Sequence, residues 1–237
     1  MNWRLALNPI VVVGHLKQEW LYRSYLNNEQ SARNFALDYL PKPVSDPVLD
    51  FGCGRGRHVA VLNNLGCDVT GVDRAYSKWW NNIKPRSNKV NFKWGEYTLN
   101  DFKDKQFNLC LCFLVLYLID DDEWTLSQFH RILRPDGWLV LQVPNAKNPW
   151  TKRTGRFLND VEPIKRYYTA ESITEKLERA GFRVERIWYE KYYPAKHLKA
   201  VNAALALLPA FVDKWLANRL PERDRGVINV WARKLPE

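Results

Sequence analysis

From Pro47 onward, short apolar runs alternate with stretches whose apolar residues recur every three or four positions. The runs predict strands over Val48–Phe51, Val69–Val72, Val90–Phe92, Phe107–Phe113 and Trp138–Val143. The stretches between them predict helices over Arg57–Leu65, Tyr76–Ile83 and Glu123–Leu133. Such alternation argues for a parallel sheet covered by helices on both faces. The link from Phe92 to Phe107 is short and polar, so its helix is expected to be reduced or missing.

Upstream, Trp20, Leu21, Tyr25, Phe35, Leu37 and Leu40 keep helical spacing, which predicts one or two helices before Pro41, Pro43 and Pro47 break the chain. After Val143 the pattern changes. A polar, basic loop (Pro144–Tyr168) leads into a helix over Ala170–Ala180, which Gly181 ends. A strand over Phe182–Glu190, an apolar helical region over Ala195–Leu220 and a last strand over Val227–Arg233 follow. The two late strands are expected to close the same sheet as an antiparallel pair. The fold class is therefore α/β: a doubly wound, mostly parallel seven-stranded sheet with added N- and C-terminal helices.

Composition narrows the setting. The 237 residues are 46% hydrophobic, enough for a real core in one domain. No apolar run reaches the roughly 18 residues of a spanning helix. The start, MNWRLALNPIVVVGH, lacks a long apolar h-region and a small-residue cleavage site, so no signal peptide is expected. Cys110 and Cys112 alternate within an apolar run and should share one strand face, with Cys53 and Cys67 elsewhere. That spacing does not suit zinc, so a reduced, cytoplasmic chain is expected. The net charge is +10, with 18 basic against 15 acidic side chains in residues 1–150 and 18 against 11 in residues 151–237. The excess suits an acidic substrate, a nucleic acid or an anionic membrane surface, and equally a plain basic surface.

The chemistry gathers in PVLDFGCGRGRHVAVLNNLGCDVTGVD, residues 47–73. A strand running into Gly52, Gly54 and Gly56 and then a helix makes a turn that a ligand can approach closely. The dinucleotide fingerprint needs Gly-x-Gly-x-x-Gly, but position 57 is Arg and the third glycine comes one residue early. A phosphate-gripping Gly-Lys-Ser/Thr is also absent. Asp73, at the end of the second strand, can accept two hydrogen bonds from a ribose diol. Together these features point to an adenosine-like ligand. The run Asp120–Glu123 resembles a magnesium site but is read as a helix first turn, where acidic residues favour the dipole.

VLDFGCGRGRHV, DVTGVD and RILRPDGWLVLQVPN together resemble the class I S-adenosylmethionine-dependent methyltransferases. The resemblance covers Pro47 to Val143 and extends more weakly through RYYTAESITEKLERAGFRVERI and GVINVWARK. It implies a Rossmann-like methyltransferase domain over 1–237. On that reading residues 1–46 would form a helical cap, 47–143 the cofactor-binding core, and 144–237 the substrate loop, helical insertion and closing strands. It also implies S-adenosylmethionine as cofactor and S-adenosylhomocysteine as product.

The resemblance assigns roles to individual positions. Asp50 would reach toward the cofactor's amino group, and Gly52, Cys53, Gly54 and Gly56 would pass its methionine portion. Asp73 would take the ribose hydroxyls, and Arg74 would border the adenine. Glu96 would take the adenine amino group with Tyr97 beside it, and Asp101 is the rival for that position. Cys112, Phe113 and Leu114 would lie under the cofactor. Trp79 and Trp80 would either wall the adenine or pack helix on sheet. Phe107-Asn108 and Tyr117-Leu118 stand where the family usually has Phe-Asp and Glu-His, which leaves no obvious acid–base residue in the usual place. His15 and His197 are candidate bases, Tyr22, Tyr25 and Tyr117 weaker ones, and His58 and His130 are read as structural or surface groups.

Specificity is expected from the segments outside the sheet. The loop NAKNPWTKRTGRF mixes Lys147, Lys152, Arg153 and Arg156 with Trp150 and Phe157. The apolar stretch within 195–220 reads as a pocket lid or a dimer face ahead of a peripheral membrane contact. A monomer or a homodimer fits either. The leading acceptor is a small molecule, apolar or anionic. RNA or another macromolecule is the alternative, though no Asn/Asp-Pro-Pro-Tyr motif is present. A non-catalytic cofactor-binding subunit is the second alternative.

Overall fold

The computed structural model describes residues 29–85, 89–95, 99–149, 163–192 and 221–236, with positions 212, 215, 218 and 219. Seven strands form: β1 (Val48–Phe51), β2 (Val69–Asp73), β3 (Val90–Trp94), β4 (Phe107–Phe113), β5 (Leu133–Pro144), β6 (Phe182–Tyr192) and β7 (Arg225–Lys234). They make one sheet in the order β3-β2-β1-β4-β5-β7-β6. The first five pair in parallel, and β7 runs antiparallel to both β5 and β6. The strand order reverses between β1 and β4, and in open α/β sheets ligands bind in the crevice at such a point.

Among the described residues, helices α1 (Glu29–Tyr39), α2 (Arg57–Asn64), α3 (Asp122–Ile132) and α4 (Ala170–Arg179) flank the sheet. One face buries Phe35, Leu40, Val59, Val61 and Leu62 from the α1 and α2 segments against Val48, Val69, Leu109, Leu111 and Val140. The other buries Leu126, Phe129 and Ile132 of α3 and Ile173 and Leu177 of α4 against Leu49, Cys110, Cys112, Leu139 and Leu141. Both faces of β4 are therefore covered, which is why its sequence is an unbroken apolar run with Cys110 and Cys112 on one side. Each helix contributes only an apolar stripe to this burial, at ~25 cal/mol per Å² of apolar surface removed from water.

Two predicted elements differ in form. The stretch over Tyr76–Ile83 is a 3-10 turn, Lys78–Asn82, instead of an α-helix. Its backbone bonds run from Trp80 to Ser77 and from Ile83 to Trp80, and Ser77 gives no side-chain cap. The link between β3 and β4 holds a 3-10 turn at Leu99–Asp101, the reduced helix expected there. β5 begins at Leu133, ahead of the predicted Trp138, because the chain passes straight from α3 into the sheet with Asp136 at φ 64 and a register shift against Phe107–Leu109. α1 carries the end of the N-terminal helical prediction. The remainder of residues 1–28 lies outside the described residues, as does most of the predicted helical region over 195–220. No helix among the described residues is long and apolar enough to cross a membrane.

Candidate functional site

The turn after β1 is built from backbone bonds. Gly52 and Cys53 N–H both donate to Val72 O, at 2.8 and 2.9 Å, and Gly56 N–H donates to Cys53 O at 2.8 Å. Two of its glycines are dictated by space as well as by torsion. Gly52 sits at φ 74, and a Cβ there would overlap Val115 Cγ2 on the loop after β4. Gly56 sits at φ 81 as the N-cap of α2, and a Cβ there would meet Ile83 Cδ1 at 2.9 Å and Trp80 Cδ1 at 3.0 Å. The β1 and β4 loops are thereby brought together at the carboxyl ends of their strands.

Gly54 is gripped through both of its backbone polar groups. Its N–H donates to Asp73 Oδ2 at 2.7 Å, and its carbonyl accepts from Trp80 Nε1 at 2.9 Å. The other Asp73 oxygen accepts Ala75 N–H at 3.2 Å, which fixes the carboxylate plane. Trp80 is buried and stacks on Phe92 with centroids 4.5 Å apart. Of the two sequence readings of Trp80, the geometry is packing, with an added role as a brace for the turn. Trp79 is half-buried, with the Arg55 guanidinium 5.6 Å from its ring centroid.

Asp50 lies on β1 with 1% of its surface exposed. Its Oδ1 is 3.8 Å from His58 Nδ1, and its Oδ2 has no hydrogen-bond partner among the described residues. A buried carboxylate oxygen left unpaired is costly, and native proteins rarely keep one without a use. Burial, with Asp50 and Asp73 adding to it, pushes the Cys53 thiol up, so it is neutral. Burial likewise pushes Cys112 up to about 12, with Asp50 adding and a backbone bond from Leu116 opposing. Neither thiol is a nucleophile at neutral pH. Burial, followed by Arg57, holds His58 below its ordinary value, with Asp50 opposing.

The remaining candidates separate clearly. Phe113 ends β4 and meets the His58 ring edge-on at 4.7 Å, and Leu114 follows at φ 57 with its N–H on Gln142 O at 2.8 Å. Arg74 is exposed just beyond Asp73, and its carbonyl accepts Gly95 N–H at 3.1 Å, tying the β2 and β3 loops together. Glu96 and Tyr97, next in the chain, lie outside the described residues, as do His15, Tyr22, Tyr25 and His197. Asp101 is exposed in its 3-10 turn, and Tyr117 is 1% exposed in the core. His130 packs edge-on against Phe182 at 5.3 Å.

The structure brings together Asp50, Gly52, Cys53, Gly54, Gly56, Asp73, Phe113 and Leu114 around the switch point. Sequence reasoning missed Trp94 and Tyr76. Both are exposed, their rings 5.4 Å apart, Trp94 at the end of β3 and Tyr76 in the loop after β2. An aromatic residue immediately before Gly95 was the available signal.

The acidic run has structural partners. Asp121 caps α3 through Trp124 N–H at 2.9 Å, and Asp120 pairs with Lys165 at 2.8 Å. Buried Asp122 accepts from Tyr168 OH at 2.8 Å and Lys176 Nζ at 3.2 Å. Among the described residues no cluster is suited to a metal ion, and the four cysteines are free and buried. Of the basic loop, Lys147 bridges Glu171 at 2.9 Å and Glu222 at 2.8 Å, while positions 150–157 lie outside the described residues.

The polar groups of the site are complementary to one kind of ligand. A carboxylate on the glycine turn suits a pair of hydroxyls, and a buried, unpaired carboxylate oxygen suits a cation. Bare backbone between them admits a close approach.

Comparison with known proteins bears on the whole chain. A methyltransferase-domain family model matches residues 20–187. A Mycolicibacterium smegmatis protein, named a probable S-adenosylmethionine-dependent methyltransferase, is 28% identical over 142 residues, 58% of this chain and 52% of its own length. The chain thus spans about half of that relative. Trans-aconitate 2-methyltransferase of Variovorax paradoxus is 25% identical over 236 residues, 87% of each chain. Among solved structures, a Burkholderia thailandensis 1,6-didemethyltoxoflavin-N1-methyltransferase, crystallised with its namesake ligand and S-adenosylhomocysteine, has a TM-score of 0.54 at 21% identity. That likeness covers 93% of this chain and 90% of the other.

Proposed function

The chain belongs to the class I S-adenosylmethionine-dependent methyltransferase family, and on that premise we propose that it methylates a small-molecule acceptor. The observation that carries the site is the Asp73 carboxylate on Gly54 N–H at 2.7 Å, with the unpaired Asp50 oxygen on the neighbouring strand. Asp73 accepts the ribose hydroxyls, Asp50 accepts the ammonium of the amino-acid end, and the glycine turn lets the chain between them lie close. Arg74, Trp94 and Tyr76 border the adenine side.

S-adenosylmethionine supplies a methyl group that its sulfonium already activates, for an in-line displacement. The protein's task is alignment, and holding reactants in line can supply part of the ~7–11 kcal/mol available to well-placed groups. The described side chains at the β4 end serve packing: Cys112 is a neutral thiol and Tyr117 is core. The names of the Variovorax and Burkholderia proteins both specify small-molecule acceptors, which supports the same class here.

The test is to incubate the purified chain with S-adenosylmethionine and a cell extract split by ultrafiltration. S-adenosylhomocysteine should accumulate with the low-mass fraction and not with RNA or protein, and Asp73→Ala should abolish it. Turnover confined to the RNA fraction would favour a macromolecular acceptor and overturn the proposal. Cofactor binding with turnover in neither fraction would favour a non-catalytic subunit.

A further inference from the structure

We propose that His58 is a positioning residue for Asp50: its Nδ1–H faces one carboxylate oxygen and so turns the other toward the ammonium group of the donor. This rests on the reading that Asp50 faces the amino-acid end of the cofactor.

The tautomer follows from the neighbours. An Arg57 guanidinium nitrogen lies 3.1 Å from His58 Nε2. A guanidinium can only donate, so Nε2 accepts and the ring proton resides on Nδ1. Nδ1 is 3.8 Å from Asp50 Oδ1, longer than a hydrogen bond but within reach of charge–dipole attraction. The ring cannot turn away freely. It stacks on Phe35 at 5.1 Å and meets Phe113 edge-on at 4.7 Å.

Asp50 is 1% exposed, so water contributes little to its orientation. The thiols of Cys53 and Cys112, whose titration Asp50 influences, are kept neutral by burial. His58 is thus a fixed dipole aimed at one oxygen, and the other oxygen, without a partner among the described residues, is the one left for a cation.

Calorimetry on the full chain with two ligands tests this. S-adenosylhomocysteine carries the ammonium group; 5′-methylthioadenosine lacks the amino-acid end. His58→Phe keeps an aromatic ring between Phe35 and Phe113 but removes the donor. It should weaken S-adenosylhomocysteine about tenfold, the upper range for a charge–dipole attraction in a buried site, and leave methylthioadenosine unchanged. His58→Asn places an amide nitrogen near the Nδ1 position and should restore S-adenosylhomocysteine affinity to within about threefold of wild type.

Equal weakening of both ligands, no change in either, or an Asn variant no better than Phe overturns the proposal while leaving the cofactor reading intact. A wild-type chain that binds neither ligand overturns the cofactor reading and this proposal with it.

Discussion

Gly54, held through its N–H by Asp73 and through its carbonyl by Trp80, shows how single residues shape the site. Trp80→Phe keeps the stack on Phe92 and deletes the indole donor. It should cost about 1 kcal/mol in denaturant unfolding and weaken S-adenosylhomocysteine in calorimetry. Gly52→Ala meets both a left-handed torsion and Val115. It should cost about 2–5 kcal/mol, partly recovered by adding Val115→Ala. Gly54→Ala has open space for its Cβ, so it should show only the torsional cost of about 1–2 kcal/mol.

His58 gives the site a pH signature. Its folded value lies below the ordinary 6.5, so the unfolded state binds the proton first as pH falls. Stability contributed by the neutral ring is present above 6.5 and is lost as pH drops toward the folded value. Between about pH 7 and about pH 5, wild type should lose more stability than His58→Phe in parallel unfolding curves. Asp50, the glycines and Asp73 were legible in the sequence because strand, turn, helix and strand lie within one short stretch. Trp80 was not: its partner Gly54 is 26 residues away, and an indole on an apolar stretch reads equally well as packing.

At the scale of elements, the segment leading into α4 is fastened by side chains. Thr169 and Ser172 form a reciprocal cap at the helix start, with Ser172 N–H on Thr169 Oγ1 at 3.2 Å and Thr169 N–H on Ser172 Oγ at 2.9 Å. Thr169→Ala should cost about 1 kcal/mol, or about 2–4 °C in melting temperature. Asp122 joins this segment to α3 through Tyr168 and Lys176. Asp122→Ala takes the acceptor from the buried Tyr168 hydroxyl while Lys176 keeps Glu123 at 2.8 Å, and it should cost about 1–3 kcal/mol by chemical denaturation. Helix existence was legible from apolar spacing. The form of the 78–82 turn was not, because the Trp80 hydrogen bond to Gly54 and its stack on Phe92 override local spacing there.

Across the whole molecule, the alternation of runs and helices foretold the seven strands and their antiparallel close. The acceptor stayed illegible, because specificity depends on how segments distant in sequence meet. The sheet order places the reversal between β1 and β4 beside the glycine turn, so the fold sets Asp50 on β1 and Asp73 at the end of the adjacent β2 close to that turn. The most direct measurement is a crystal structure with S-adenosylhomocysteine. The ribose hydroxyls should lie on the Asp73 carboxylate and the ammonium beside Asp50 Oδ2. A ligand bound elsewhere on the chain, or one touching neither carboxylate, would contradict the account.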